Sequence, residues 1–285
     1  MSESPNLLEI NNLGCDFSIR ERLGWRRRVL RAVDRVDLTI SNGDIFGIVG
    51  ETGSGKTTLG KAIAGIQRPT RGAVRLSGKV VSSVDIRLPK SVSAQMQYVY
   101  QDPGASLDPR WTLRRSLHEP LVIHSPRSSA SDRENSVRKM VTAMGLSPGL
   151  LDRFPHEVSG GQLRRMGLAR VLVLAPKIVI FDEPTAGLDV LVQATVLGLM
   201  RDLLDQFKLT YILISHDIAV VSSICNRLAV MYGGNLVEIG PTTQVLKEPL
   251  HPYTRSLLAS SLQIGGSRLT DSLEPLNTTA PRGTR

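Results

Sequence analysis

The sequence predicts an α/β fold with a mixed β-sheet and an inserted run of helices, and three observations carry that prediction. An apolar strand, Ile45 to Val49, runs directly into the glycine-rich stretch Gly50 to Thr58 (Gly-Glu-Thr-Gly-Ser-Gly-Lys-Thr-Thr) and then into a helix. Two later runs, Lys177 to Phe181 and Thr210 to Ser215, read as parallel strands buried on both faces, flanking a helix from about Val190 to Phe207. Between the early strand and the later pair lies a long stretch, Asp102 to Val158, whose pattern is helical.

Taken in order, Leu7 to Phe17 and Ala32 to Ile40 alternate apolar and polar residues as half-exposed strands do, and Asn42-Gly43 punctuates the approach to the strand at Ile45. A helix follows from Lys56 to about Gly65. Val74 to Leu76 and Gln97 to Tyr100 are further strands, so the first portion reads as mixed sheet. Within the helical stretch a polar break, Ser125 to Ser131, contains Pro126 and reads as a surface loop. Ser131 and Glu134 then form a capping box, Val137, Met140, Val141 and Met144 share one helical face for the core, and Gly145 ends the helix. Ser159 precedes a second helix, Gly160 to about Leu174, closed by Pro176. Ala229 to Tyr232 and Leu236 to Ile239, joined through Gly233-Gly234-Asn235, form a hairpin. Beyond Gln263 the chain is polar and is expected to be a loose tail. No internal repeat is visible.

With 285 residues, 41% of them hydrophobic, the chain can bury a core as one large domain or one domain carrying a subdomain. Cys15 and Cys225 lack CxxC spacing, read as buried thiols, and argue against a disulfide or metal framework. Apolar runs such as Val171 to Ala175 fall far short of the ~20 residues that span a bilayer, and no signal-peptide pattern is present, so the chain is not expected to cross a membrane. A net charge of +9 permits association with nucleic acid or anionic lipid but fixes neither. Part of it is local: Arg20, Arg22, Arg26, Arg27, Arg28 and Arg31 crowd around Trp25, and we read them as a solvated hairpin loop in preference to a phosphate or headgroup contact.

The glycine-rich stretch is a phosphate site. Gly50, Gly53 and Gly55 let the backbone curl so that successive N–H groups point inward, which counts Glu51, Thr52 and Ser54 among the residues expected around the phosphates, and the helix begun near Lys56 adds its positive end. Lys56 reaches the β- and γ-phosphates of a nucleoside triphosphate, Thr57 offers a hydroxyl to Mg²⁺, and Thr58 serves another phosphate oxygen. Asp182 and Glu183 stand at the C-terminal end of a buried strand, where open α/β sheets bind ligands. Asp182 can hold Mg²⁺ through water, while Glu183 orients or deprotonates the attacking water. Val158-Ser159-Gly160-Gly161-Gln162 opens another helix with backbone N–H groups free to face an anion. One chain needs a single phosphate loop for ATP, so this second anion site makes sense if it closes on nucleotide held by another subunit.

In these motifs the chain resembles the ATP-binding cassette superfamily, whose signature Leu-Ser-Gly-Gly-Gln differs here only in Val158. The resemblance implies that Gln101 senses Mg²⁺ and the attacking water where a helical subdomain joins the core, and that His216 contacts the γ-phosphate. It implies that Ala186-Gly187-Leu188-Asp189 crosses to the opposite nucleotide site, and that Phe17 stacks on adenine, with a core role as the rival reading. Gly187 replaces the commoner Ala of that loop. The similarity runs from about Leu7 to Leu262. It implies an ATPase domain over 1–262 (core about 1–101 and 159–240, helical subdomain about 102–158, C-terminal extension 241–262) and a tail at 263–285.

Val99 to Arg110, together with His251-Pro252-Tyr253-Thr254, resembles ATPase subunits of dipeptide, oligopeptide and nickel importers. Many members of that branch carry a C-terminal cysteine cluster for an iron–sulfur centre; this sequence has none, and no such centre is inferred. The resemblance implies a peripheral ATPase on the cytoplasmic face of the bacterial inner membrane, using ATP and Mg²⁺ and docked on two membrane-spanning permease subunits. A second cassette ATPase, usually a different chain, would pair with it head to tail, so that Lys56, Asp182 and Glu183 of one face Ser159 and Gly161 of the other. An extracytoplasmic solute-binding protein would deliver peptides or nickel or metal chelates. Two rival readings are an accessory ATPase of a carbon–phosphorus-lyase-type assembly and a nucleic-acid- or ribosome-associated cassette protein. The latter commonly carries two cassettes or a long coiled-coil insertion, neither of which is present, so no nucleic-acid partner is expected.

Overall fold

The computed structural model describes residues 6–20 and 27–264. The basic residues Arg22 and Arg26, and all but the first two residues of the expected tail, lie outside the described residues. In chain order, β1 (Asn6–Arg20) and β2 (Arg27–Ser41) form a ribbon, and β3 (Ile45–Val49) leads into α1 (Lys56–Ile63). A hairpin of β4 (Arg71–Leu76) and β5 (Lys79–Ser83) follows, then a one-turn α2 (Lys90–Ser93) and β6 (Met96–Val99). The helices α3 (Leu113–His124), α4 (Ala130–Ala143) and α5 (Gly160–Leu172) come next. The chain continues through β7 (Ile178–Asp182), α6 (Val190–Phe207), β8 (Thr210–Ser215), α7 (Ile218–Ile224), β9 (Arg227–Tyr232), β10 (Asn235–Pro241), α8 (Thr242–Lys247) and α9 (Pro252–Ile264).

The strands divide between two sheets. One has four strands in the order β2-β1-β4-β5, all antiparallel; the other has six in the order β10-β9-β3-β8-β7-β6, parallel except at the β10-β9 edge. The first portion of the chain is therefore not one mixed sheet: its antiparallel strands separate from β3 and β6, which join the parallel sheet. Side chains alternate across a strand, so every strand buried on both faces feeds two cores. Val179, Phe181, Tyr211 and Leu213 enter the core beneath the helices α3 to α7, whereas Ile178, Ile180, Ile212 and Ile214 enter the one shared with α1 and the antiparallel sheet. This double burial explains why β7 and β8 read as unbroken apolar runs.

The start of α4 differs from expectation. Ser129, not Ser131, caps the helix, its hydroxyl accepting the Asp132 N–H at 3.0 Å. Glu134 is unavailable for a capping box because its carboxylate accepts from Arg114, from Arg138 Nε at 2.6 Å and meets His118 Nε2 at 2.9 Å. The apolar stripe of this helix holds: Val137, Met140, Val141 and Met144 are all buried, and Gly145 turns with φ 68°. Cys15 and Cys225 are buried free thiols. Among the described residues no helix is long and apolar enough to cross a membrane.

Candidate nucleotide site

β3 ends inside the parallel sheet, and the chain turns from Gly50 to Gly55 before α1 begins at Lys56. Gly55 has φ 108°, and a Cβ there would lie 2.1 Å from the Ala32 carbonyl oxygen of β2, so the loop tolerates only glycine. Lys56 is buried, and its Nζ donates to Gly50 O and Glu51 O at 2.8 Å each, and to Ser54 Oγ at 3.5 Å. Burial pushes its pKa down, against the pull of the Glu183, Asp182 and Glu51 charges. A buried cation hydrogen-bonded to neutral oxygens is poorly compensated, and an anion entering here would relieve it. A cavity of about 650 Å³ opens at this point, lined by Phe17, Thr52, Gly53, Gly55, Lys56, Thr57, Thr58, Gln101, Glu183 and His216, with Leu30, Ala32 and Ala186 completing the wall. Phe17 packs on the core with part of its surface and also lines this cavity.

Asp182 is the last residue of β7, and two hydroxyls fix its carboxylate. Thr57 Oγ1 donates to Oδ1 at 3.1 Å and Tyr98 OH donates to Oδ2 at 2.6 Å. Burial, then the bond to Asp182, pushes the Tyr98 phenol pKa far up, keeping it a neutral donor. Glu183 follows with φ 53°, an uncommon conformation for a side-chain-bearing residue. Its N–H donates to Ile214 O at 2.9 Å, and its carboxylate Oε2 lies 2.8 Å from Nδ1 of the exposed His216. Gln101 reaches across to donate to Ala186 O at 3.1 Å. The oxygens of Thr57, Asp182 and Gln101 suit a hard cation that is otherwise held by phosphates and water.

The signature stretch lies elsewhere in the chain. Ser159 caps α5 in a reciprocal box: its hydroxyl accepts the Gln162 N–H at 3.3 Å, and Gln162 Oε1 accepts the Ser159 N–H at 3.0 Å. Gly160 and Gly161 are exposed, and a Cβ on either would meet nothing within 4 Å. They line a second cavity of about 560 Å³, which shares Gln101 and Ala186 with the first. Asp189 caps α6, its Oδ1 accepting from Leu191 N–H at 3.0 Å and Val192 N–H at 2.9 Å. Within one chain, then, Ser159, Gly160, Gly161, Gln162 and Asp189 do not line the cavity that Lys56 and Glu183 share.

Three contacts escaped the sequence reading. Tyr98 reads from sequence only as part of a strand, yet its pairing with Ile180 of β7 carries its hydroxyl to Asp182 two residues on. Arg164 of α5 donates to Pro184 O and, at 3.5 Å, to Gln101 O, tying the helix to both acidic and glutamine loops. Tyr253, from the His251-Pro252-Tyr253-Thr254 stretch, receives the Glu51 N–H on its hydroxyl oxygen at 3.0 Å, and Ser54 N–H donates to Glu51 O at 3.1 Å, so these two amides are engaged within the loop and its outer wall, and neither Glu51 nor Ser54 lines the cavity as expected. The last also has a local sequence signal, a proline-started helix, but that signal does not reveal a contact 202 residues away.

The family model described as ABC transporter matches residues 33–186, and that of the oligopeptide/dipeptide transporter C-terminal region matches residues 237–284. The oligopeptide transport ATP-binding protein OppF of Salmonella typhimurium is 42% identical over 257 residues, covering 89% of this chain and 77% of the relative. The oligopeptide transport ATP-binding protein AppF of Bacillus subtilis is 42% identical over 262 residues, covering 91% and 79%. Among solved structures, cbiO1 from Clostridium perfringens, part of the ABC transporter complex cbiONQ, superposes with a TM-score of 0.70 at 24% identity, covering 94% of this chain and 97% of its own; that likeness speaks to the fold.

Proposed function

The chain belongs to the ATP-binding cassette transporter family, and from that premise we propose that it is the ATP-hydrolysing subunit of a peptide importer. The observation that carries this reading is the single cavity in which Lys56, Thr57, Glu183, His216 and Phe17 meet. Phe17 offers a ring face for the adenine, the loop and Lys56 take the phosphates, and Thr57 with Asp182 supplies oxygen donors for Mg²⁺. When bound, Mg²⁺ neutralises charge on the phosphates. Glu183 accepts the proton of the attacking water, and His216, hydrogen-bonded to it at 2.8 Å, holds its carboxylate toward the cavity.

Ser159 and Gly161 serve the nucleotide of a second cassette. Two glycines in the first turn of a helix sacrifice roughly 0.5–1 kcal/mol each against alanine. Nothing among the described residues needs them, since a Cβ would find open space at both. Close approach from outside the chain is a sufficient reason for them. The peptide names of the relatives favour peptides over nickel or metal chelates as cargo. Two membrane-spanning permeases, a second cassette ATPase and an extracytoplasmic binding protein complete the system, with this chain peripheral on the cytoplasmic face of the inner membrane. Affinity purification from gently solubilised membranes tests the assembly: recovery with multispanning permeases supports it, and recovery with soluble enzymes or ribosomes alone overturns it. In that assembly Glu183→Gln is expected to lower kcat by roughly 10²–10⁴-fold while nucleotide still binds; wild-type turnover would remove Glu183 from its role.

A further inference from the structure

Tyr253 is not among the residues lining the nucleotide cavity, yet it touches the loop that forms it. Both backbone groups of Glu51 are engaged: its N–H donates to the Tyr253 hydroxyl oxygen at 3.0 Å, and its carbonyl accepts from Lys56 Nζ at 2.8 Å. The Tyr253 ring lies against Tyr232 with centroids 4.3 Å apart, and Tyr232 ends β9. In the turn that follows, Gly234 N–H donates to Ser54 O at 2.9 Å. The hairpin and α9 thus form one wall on the outer side of the phosphate loop. Hydrogen bonds tie that wall together. The Glu238 carboxylate accepts from Leu250 N–H at 2.9 Å and His251 N–H at 3.0 Å, and His251 Nδ1 accepts from Tyr253 N–H at 3.2 Å.

We propose that Tyr253 is a positioning residue for nucleotide binding: its hydroxyl holds the Glu51 backbone in the turn that presents Lys56, so the C-terminal segment sets the affinity of the phosphate loop. The inference rests on the reading of the cavity as an ATP site. Its physical basis is preorganisation. Without an acceptor for the Glu51 N–H, the loop explores other backbone conformations in the free state, and binding phosphate must freeze them out. Hydrolysis takes place on the far side of the loop, at Glu183, and does not involve the phenol.

The test measures the full-length chain and its Tyr253→Phe variant in two ways. Binding of methylanthraniloyl-ATP gives the dissociation constant, and hydrogen–deuterium exchange resolved over residues 51–54 reports the backbone. Tyr253→Phe is expected to weaken binding roughly three- to tenfold, the worth of one neutral hydrogen bond, and to speed exchange at the Glu51 amide. In the transporter it raises KM for ATP and leaves kcat within about twofold. Unchanged affinity, or weaker binding without faster exchange at Glu51, would overturn the proposal. Should the phenylalanine variant fail to fold, Glu238→Gln, which loosens the start of α9 but keeps the phenol, provides the same comparison with the same expected direction. A wild-type chain that binds no nucleotide would instead refute the ATP-site reading itself.

Discussion

Lys56 shows how much a single burial decision determines. A lysine ammonium held away from water has its pKa pushed down, and phosphate oxygens would push it back up. Binding therefore takes up a proton in the pH window between the free and the bound pKa, and affinity falls as pH rises through the lower of the two. Calorimetry of ATP binding in buffers of different ionisation enthalpy measures that uptake; heats independent of buffer at alkaline pH would contradict it. Tyr211 is a second buried residue with a cost attached. It is fully buried edge-on to Phe181, at 5.0 Å between centroids, and its hydroxyl has no hydrogen-bond partner among the described residues. Tyr211→Phe removes an unsatisfied polar group and should raise stability by about 1 kcal/mol, or roughly 2–4 °C in Tm, by calorimetric melting.

At the scale of elements, legibility followed the strength of local patterning. The boundaries of β3, α6 and β8 coincide with the expected spans because apolar runs and flanking turn residues mark them without competition. β5 and α7 were not anticipated. β5 is short and polar at its ends, and the Ile218-Ala-Val-Val run of α7 is too brief to separate a helix from a strand by periodicity. Ser131-Asp-Arg-Glu134 misled for a different reason: a capping box is a local pattern, whereas Glu134 is engaged by Arg114, a residue on another helix. That ionic cluster makes a prediction. Arg114 first, and then His118 and Arg138, hold the Glu134 carboxyl well below its usual range, to about 2. A depressed carboxylate contributes stability that is present above its unfolded pKa near 4.5 and is lost as pH falls toward 2. Glu134→Gln should lower Tm by about 1–3 °C at neutral pH and flatten the acid limb of the stability curve below pH 4.5. Identical acid limbs would show the cluster to be without consequence.

For the molecule as a whole, the strand-end acids, the phosphate loop and the signature stretch were all readable in order, since each is a contiguous motif. What could not be read was which of them face one another. Sequence places Glu183 and His216 33 positions apart, and only the parallel pairing of β7 with β8 puts their side chains 2.8 Å apart. The separation of Gly161 from Lys56 within the chain is likewise a property of the whole fold. It makes Gly161→Ala diagnostic. The substitution suits a helix and meets no neighbour, so Tm should rise by roughly 1–4 °C while ATP turnover in the assembled transporter falls; unchanged turnover would argue against a packed partner at α5.

The two cysteines have a practical consequence. Both thiols are buried, and burial first of all raises the pKa of Cys15 to about 11 and that of Cys225 further still, so neither forms an appreciable thiolate at neutral pH. The natural chain should therefore react only slowly with maleimides. A cysteine introduced at Gly161 would be its one reactive handle, and a fluorophore or spin label attached there could follow the approach of a second cassette in real time without first stripping the native thiols.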